Sequence, residues 1–166
     1  MEPKIETLEI KLAGVQAIIR VDCSFVADLE KVYQRLADKV AEIPDISPAN
    51  RTFGYWHFVD NQTRLYFCGV QVDSLARFEW DHAYGLAAWS LGRTTWAIWP
   101  EPDGQEGSIM HGGVSWRWLD TSDYLFDNRF IGDFEIYEWQ EGQVGRQTRT
   151  DVHQIWLPVV RKEPGT

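Results

Sequence analysis

The same order of predicted elements, strand, helix, strand, strand, occurs twice along this chain of 166 residues. In the first half, alternating apolar residues predict a strand over 14–21, and apolar residues at three- and four-residue steps predict a helix over 25–43. Pro44 ends this helix, because proline lacks the amide that a helix interior needs. Two aromatic and β-branched runs, 52–59 and 64–72, then predict a hairpin.

The second half repeats this order with weaker patterns. Residues 93–99 predict a strand and residues 108–119 a helix, in which Met110, Val114 and Trp118 keep helical spacing. Residues 134–139 and 152–160 predict the last two strands, and the proline within the second of them predicts a bulge or an edge.

This order predicts an α+β fold made of two β-α-β-β modules related by a pseudo-twofold axis. We expect an antiparallel sheet with two helices that flank a central ligand groove, because seams between such units are common ligand sites. The length is sufficient for one well-filled core. We therefore interpret 1–166 as a single domain, with module one over about 1–75 and module two over about 84–162.

Composition excludes several classes of function. Sixteen basic and twenty-five acidic residues give a formal net charge of −9, which disfavours direct binding to nucleic acids and to anionic membranes. The chain starts without the apolar segment of a signal peptide, and no apolar run is long enough to span a membrane. Cys23 and Cys68 lack the spacing of a disulfide framework or a zinc site. We expect a reduced, cytoplasmic protein without metal or cofactor.

The segment Gly132–Trp139 combines strand-forming residues with a carboxylate. Period-two alternation places Glu135 and Tyr137 on one face of the predicted strand and Phe134 and Ile136 on the other. An acid on a sheet face either points to water or lies in a cleft, where it needs a cationic or hydrogen-bonding partner. Nine tryptophans, six tyrosines and eight phenylalanines suit flat ligands as well as core packing, so the role of any single ring stays open.

Seven short segments, in this order, resemble the GyrI-like effector-binding family, which occurs as stand-alone proteins and as the ligand domain of AraC-type and MerR-type bacterial transcription regulators. The resemblance extends from Ile5 to Val160. The segments are Leu12–Val15, Phe53–Tyr55, Gly69–Val72, Tyr84–Leu86, Trp118–Leu119 with Ser122 and Tyr124, Phe134–Tyr137, and Ile155–Val159. The double glycine of the second helix and the long loop 140–151 depart from the family pattern.

The resemblance implies a pocket for hydrophobic, often cationic, small molecules with a buried glutamate that meets the positive charge. In this chain the matching acid is Glu135, and the matching aromatic residues are Tyr137 and Trp156. Alternation and the repeat place two more rings, Trp56 and Trp99, on the face of the glutamate. Among the aromatic residues of the helices, Tyr33 and Trp118 are best placed to line the groove.

The expected function is therefore the sequestration or sensing of a hydrophobic, cationic, drug-like molecule. Ile5 already begins the first strand, so we expect no DNA-binding domain before it. The four histidines are scattered along the sequence, so we assign none of them as a catalytic residue or a metal ligand. A partner protein or a homodimer stays open.

Two alternatives belong to other classes. The first is implied by the resemblance, because some stand-alone relatives hydrolyse strained electrophiles: Glu135 would be the base toward a water, and Tyr137 or Tyr33 the hydrogen-bond donor. The second is a protein-interaction inhibitor of the gyrase type, in which the acidic run Glu101–Glu106 would imitate nucleic acid charge.

Overall fold

The computed structural model of the protein describes six segments, 2–20, 25–60, 63–78, 85–100, 113–138 and 154–164. Within these segments the fold is α+β, with seven strands in one antiparallel sheet and two α-helices. The predicted α+β class, antiparallel sheet and helix pair are confirmed. None of the described helices is long and apolar enough to cross a membrane.

The first half contains one helix between long strands. Strand β1 spans Lys4–Arg20, and helix α1 spans Phe25–Lys39 and continues as a 3₁₀ turn over Val40–Glu42. Strands β2, Arg51–Val59, and β3, Thr63–Val72, form the predicted hairpin. The helix ends before the predicted limit at residue 43, because the chain tightens into the 3₁₀ turn ahead of the proline.

The second half contains the same elements and one more strand. Strand β4 spans Ala87–Pro100, helix α2 Val114–Thr121, strand β5 Tyr124–Phe126, strand β6 Phe134–Glu138 and strand β7 Gln154–Arg161. Strand β5 has only three residues, too few to show period-two alternation, and sequence analysis missed it. The strand that was predicted to begin at residue 93 begins at Ala87 instead, because β4 pairs with β1 as far as the pair of Ala87 and Gly14.

Strand pairing closes the sheet upon itself. The strands follow the order β4-β1-β3-β2-β6-β7-β5, and β4 also pairs with β7. Strand β3 thus lies between β1 and β2, and β7 lies between β4 and β6. The two halves meet where β1 pairs with β4 and where β2 pairs with β6. Because β2 and β7 border β6 on both sides, the segment around Glu135 is internal to the sheet.

The two sheet faces bury different sets of side chains. On one face, the buried part of α1, including Leu29, Val32 and Leu36, packs on sheet residues, and Val114, Trp118 and Leu119 of α2 pack there too. We call this the helix-side cluster. On the other face, the opposite cluster contains Ile10, Leu12, Phe53, Tyr55, Phe67, Leu91, Trp96, Ile98, Phe130, Phe134, Ile136 and Trp156.

Pro158 lies neither in an outer strand nor at a bulge of the described pairing. It pairs with Trp96 of β4 on one side. On its other side, β7 changes partner from β6, which ends its pairing at Trp156, to β5, which begins at Val159. A residue without an amide proton is tolerated at this change of partner, because no ladder bond of β5 or β6 requires it.

Several predictions fall outside the described residues. These are the acidic run Glu101–Glu106, the loop 140–151, Met110 in the predicted second helix, the segment residue Tyr84, and Cys23. Helix α2 begins at Val114 after Gly113, whose φ of 60° is a backbone conformation that glycine adopts without strain. Cys68 is a buried free thiol.

Candidate ligand site around Glu135

Glu135 is held inside the sheet by its neighbours on both sides. Its cross-strand partners are Gly54 on β2 and Ile155 on β7, and its residue exposure is 9%. The alternation of β6 sends Glu135 and Tyr137 to the helix side, while Phe134 and Ile136 join the opposite cluster. The carboxylate is therefore buried on the face that the helices cover.

Tyrosine hydroxyls surround the carboxylate. Tyr137 donates to Glu135 Oε2 at 2.9 Å, and Tyr66 donates to the same oxygen at 3.4 Å. The hydroxyl of Tyr33 lies 2.7 Å from that of Tyr66. A hydroxyl carries one proton, so when Tyr66 donates to Glu135 it accepts from Tyr33. The hydroxyls of Tyr33 and Tyr66 thus form a chain that ends on Glu135 Oε2, and the Tyr137 hydroxyl bonds the same oxygen directly.

Gly54 provides the space for this chain of hydroxyls. A Cβ atom at Gly54 would lie 2.0 Å from the hydroxyl oxygen of Tyr66 and 2.6 Å from that of Tyr33. Real Cβ contacts are not that short, so any side chain here would displace at least one hydroxyl. The absence of a side chain opposite Glu135 therefore shapes the polar site.

The tyrosines stay protonated over the ordinary pH range. Burial, and after it the charge of Glu135, raises the pKa of the Tyr137 hydroxyl. The same two causes, in the same order, raise the pKa of Tyr66 well above its usual range. Burial is also the main reason for the raised pKa of Tyr33 and of the Cys68 thiol. The groups that donate hydrogen bonds to Glu135 are thus neutral hydroxyls.

Besides Tyr137, four of the aromatic residues singled out by the sequence lie on the same side of the sheet as Glu135. Tyr33 packs edge-on against Tyr137 with ring centroids 5.2 Å apart. Trp56 packs against Tyr66 at 4.8 Å. Trp99 is fully buried in the helix-side cluster, and Trp118 packs edge-on against it at 5.4 Å. The structure thus brings Tyr137, Tyr33 and Trp56 to the hydroxyl chain, and it places Trp99 and Trp118 elsewhere in the same layer.

Trp156 lies on the opposite face. It packs at 5.4 Å from Phe53 and at 5.7 Å from Trp96, and the guanidinium of Arg51 lies 5.0 Å from its ring centroid. The structure therefore does not bring Trp156 together with Glu135. The reason is parity, since Ile155 is the β7 residue that pairs with Glu135, and the next residue along a strand points the other way.

Sequence analysis missed Tyr66 and Gly54. The hairpin connection could have revealed both, because it sets the register that pairs Gly54 with Cys68 and Trp56 with Tyr66. Given that register, Tyr66 shares a face with Gly54, and therefore with Glu135 across the β2–β6 pair. The sequence pattern does not predict the distance between the Tyr33 and Tyr66 hydroxyls, because that distance depends on the position of α1 over the sheet.

The chemistry of the site is that of a buried anion among phenols and rings. In the described part of the chain, no group of three or more histidine, cysteine, aspartate or glutamate side chains could hold a metal ion. For the hydrolase alternative, Tyr137 contacts the carboxylate directly, whereas Tyr33 reaches it through Tyr66. The interaction-inhibitor alternative depends on residues outside the described segments.

Comparison with known proteins finds similarity at the level of structure. The chain matches no protein-family model and no curated protein sequence. The structure of SAV2435 bound to tetraphenylphosphonium matches with a TM-score of 0.59 and 12% identity over 96% of this chain and 94% of that chain. The crystal structure of the EcmrR C-terminal domain matches with a TM-score of 0.54 and 15% identity over 97% and 99% of the two chains.

The chain has the GyrI-like effector-binding fold. The resemblance inferred from the seven segments is thereby confirmed for the fold. A chain of the EcmrR–DNA complex also matches, with a TM-score of 0.59 and 13% identity. That match covers 98% of this protein but 58% of the EcmrR chain, so this protein corresponds to a part of that molecule.

Proposed function

We propose that the protein binds hydrophobic organic cations at Glu135 and thereby sequesters or senses them. The observation that carries this proposal is a carboxylate that is nine-tenths buried and held by the hydroxyls of Tyr137 and Tyr66 within a layer of aromatic rings. The ligand would place its positive charge near Glu135, and its apolar groups would lie against the rings.

Electrostatics favours a cation over a neutral ligand at this site. Burying a carboxylate is costly unless hydrogen bonds or an opposite charge compensate the lost water. The two phenol donors supply such hydrogen bonds, and a bound cation would add an opposite charge without a proton transfer. Each cation–π contact contributes about 0.5–2 kcal/mol. Several rings and one ion pair are therefore sufficient for roughly micromolar affinity.

The shared fold supports the same ligand class. Tetraphenylphosphonium, found with SAV2435, is a hydrophobic cation whose charge is surrounded by four phenyl groups. The EcmrR matches are consistent with a role as the ligand domain of a regulator. At identities of 12–15% the similarity concerns the fold. The binding of a hydrophobic cation and the role as a ligand domain are therefore our proposals for this protein.

The pairing pattern supports a groove between two related halves. The order β1-β3-β2 in one half has its counterpart in β4-β7-β6 in the other, and both helices pack on the same side. We propose that modules over about 1–75 and 84–162 form one domain with a pseudo-twofold axis, and that the ligand enters between α1 and α2 on the side of Glu135.

Calorimetric titration with tetraphenylphosphonium tests the proposal. We expect saturable binding, and we expect Glu135→Gln to weaken it by about tenfold or more, because a loss of about 1.4 kcal/mol corresponds to a factor of ten. Glu30→Gln is the matched control, since Glu30 is an exposed residue of α1 and its substitution changes the net charge equally. Triphenylphosphine oxide, a neutral compound with similar rings, should bind much more weakly.

The titration has a clear negative outcome. Equal affinity of the wild-type and Glu135→Gln proteins for tetraphenylphosphonium would rule out Glu135 as the partner of the charge. Equal affinity for the phosphonium and the phosphine oxide would show that the site selects rings and not charge. Thermal unfolding of each variant in the absence of ligand shows whether the compared proteins are equally folded.

A further inference from the structure

A concave surface lies beside the carboxyl end of α2. It encloses about 320 Å³, and its walls come from the start of the chain, from α2 and from the segment that leads into β5. This volume is at the lower end of the range of small-molecule sites. We call it the α2 groove, and its walls include Glu2, Ile5, Trp118, Ser122, Asp123 and Tyr124.

Two aromatic rings form a fixed wall of the α2 groove. Trp118 and Tyr124 stack with centroids 5.6 Å apart and an angle of 22° between their planes. The indole Nε1 of Trp118 donates to Glu2 Oε2 at 2.9 Å, and the same ring packs edge-on against buried Trp99. Contacts on several sides therefore hold the indole in place. A rigid indole loses little freedom when a ligand packs on it.

The charge around the α2 groove is negative. Glu2 and Asp123 are exposed carboxylates on its wall. The carboxyl end of a helix adds partial negative charge, because its last carbonyls have no partner within the helix. The ammonium of Lys162 donates to the carbonyl of Ser122 at 2.6 Å, so a carbonyl at this end of α2 already binds a cationic group. The net charge of −9 attracts further cations.

We propose that the α2 groove is a second binding site, separate from Glu135, for small organic cations of the quaternary ammonium class. The ligand packs its methyl groups on Trp118, since tryptophan is the aromatic side chain that attracts cations most strongly. Glu2 and Asp123 supply the opposite charge. The groove binds smaller cations and binds them more weakly than a buried site does, because its carboxylates are exposed to water and to salt.

Nuclear magnetic resonance of the full chain tests this proposal at one atom. The indole N–H of Trp118 is assigned as the tryptophan cross-peak that disappears in Trp118→Phe. During titration with benzyltrimethylammonium, we expect this cross-peak to shift in a saturable manner, because the ligand contacts the ring and perturbs its hydrogen bond to Glu2. Benzyl alcohol, a neutral aromatic compound, should shift it far less at equal concentration.

Variants separate the two sites. The double variant Glu2→Gln/Asp123→Asn should bind benzyltrimethylammonium about threefold to tenfold more weakly, as expected for two exposed charges. Asp120→Asn is the matched control, because Asp120 is an exposed acid of α2 that does not line the groove. Glu135→Gln should leave this titration unchanged. An unmoved Trp118 cross-peak, or equal affinity in the double variant, would overturn the proposal. Loss of the shift in Glu135→Gln would show that the ligand occupies the first site instead.

Discussion

Both faces of the sheet bury aromatic rings, but they differ in the polar groups that accompany these rings. On the opposite face, Phe134 stacks on Tyr55 with centroids 4.0 Å apart and planes within 6°. The Tyr55 hydroxyl accepts a hydrogen bond from the backbone amide of Ile131. On the helix side, the hydroxyls of Tyr137 and Tyr66 converge on the carboxylate of Glu135. The Tyr55 hydroxyl thus bonds the backbone, whereas the hydroxyls of Tyr137 and Tyr66 bond an acid.

The difference between the two faces is present within a single strand. Strand β6 contributes Phe134 and Ile136 to the opposite cluster and Glu135 and Tyr137 to the helix side. Side chains only one position apart therefore lie in an apolar core or at the proposed ligand site. Replacements on the opposite face should change stability and leave ligand binding intact, whereas replacements around Glu135 should change both the polar network and the affinity.

The largest expected difference appears at alkaline pH. Burial raises the pKa of Tyr33, Tyr66 and Tyr137, so these residues stay protonated in the folded protein while they ionise in the unfolded chain above about pH 10. The unfolded state then binds fewer protons, and stability falls as pH rises. Three such groups reduce the free energy of unfolding by roughly 4 kcal/mol per pH unit above about pH 10.

Denaturant unfolding between pH 8 and about 11 measures this effect, and absorbance at about 295 nm reports tyrosine ionisation. In Tyr66→Phe the slope should decrease by about 1.4 kcal/mol per pH unit, the share of one tyrosine. Burial also raises the pKa of Tyr55 on the opposite face. Tyr55→Phe should therefore reduce the slope by at most the contribution of one tyrosine, about 1.4 kcal/mol per pH unit. Ionisation of every tyrosine near pH 10 without loss of stability would contradict the buried hydroxyl chain.

Phe134→Ala tests the opposite face. Phe134 is fully buried and contacts Tyr55, Trp96 and Phe130, with centroids 4.0, 5.2 and 5.7 Å away. Removal of a buried phenyl ring typically costs about 3–5 kcal/mol, because the cavity does not fully collapse. Denaturant unfolding at neutral pH should show this loss, while the folded variant should bind tetraphenylphosphonium with nearly unchanged affinity.

A matched control for Phe134→Ala is Ile18→Ala, since Ile18 is a large apolar residue with 69% exposure. Its truncation should change stability by no more than about 0.5 kcal/mol. If Phe134→Ala abolished binding while the protein stayed folded, the assignment of packing to one face and binding to the other would be wrong.

The sequence predicted the order of the elements and the face of Glu135, because both follow from periodicity. Helical spacing located α1, and alternation placed Tyr137 beside Glu135 and Phe134 on the other face. It did not predict Tyr66 as a partner of the carboxylate or exclude Trp156. Those two assignments depend on strand register across two hairpins, and a register cannot be read from one strand at a time. The three-residue strand β5 lies below the length at which alternation is visible.

The smallest expected effect concerns Gly54, whose lack of a side chain leaves room for the Tyr66 and Tyr33 hydroxyls. In Gly54→Ala the new Cβ would lie 2.0 Å from the Tyr66 hydroxyl, so the hydroxyl chain must move. Overpacking of this kind costs about 1–3 kcal/mol. Because the phenols that solvate Glu135 are displaced, affinity for tetraphenylphosphonium should also decrease. Gly132→Ala is the matched control, since no atom lies within 4 Å of a Cβ at Gly132.

A double-mutant cycle distinguishes this clash from a general effect of alanine in a strand. Tyr66→Phe removes the oxygen that the new Cβ would meet, so Gly54→Ala should cost less in the Tyr66→Phe background than in the wild type. The relief should be partial, because the Tyr33 hydroxyl would still lie 2.6 Å from the Cβ. Denaturant unfolding of the four proteins gives the coupling energy. A coupling of zero would mean that Gly54 is needed for backbone reasons alone and that the space opposite Glu135 has no part in placing the hydroxyls.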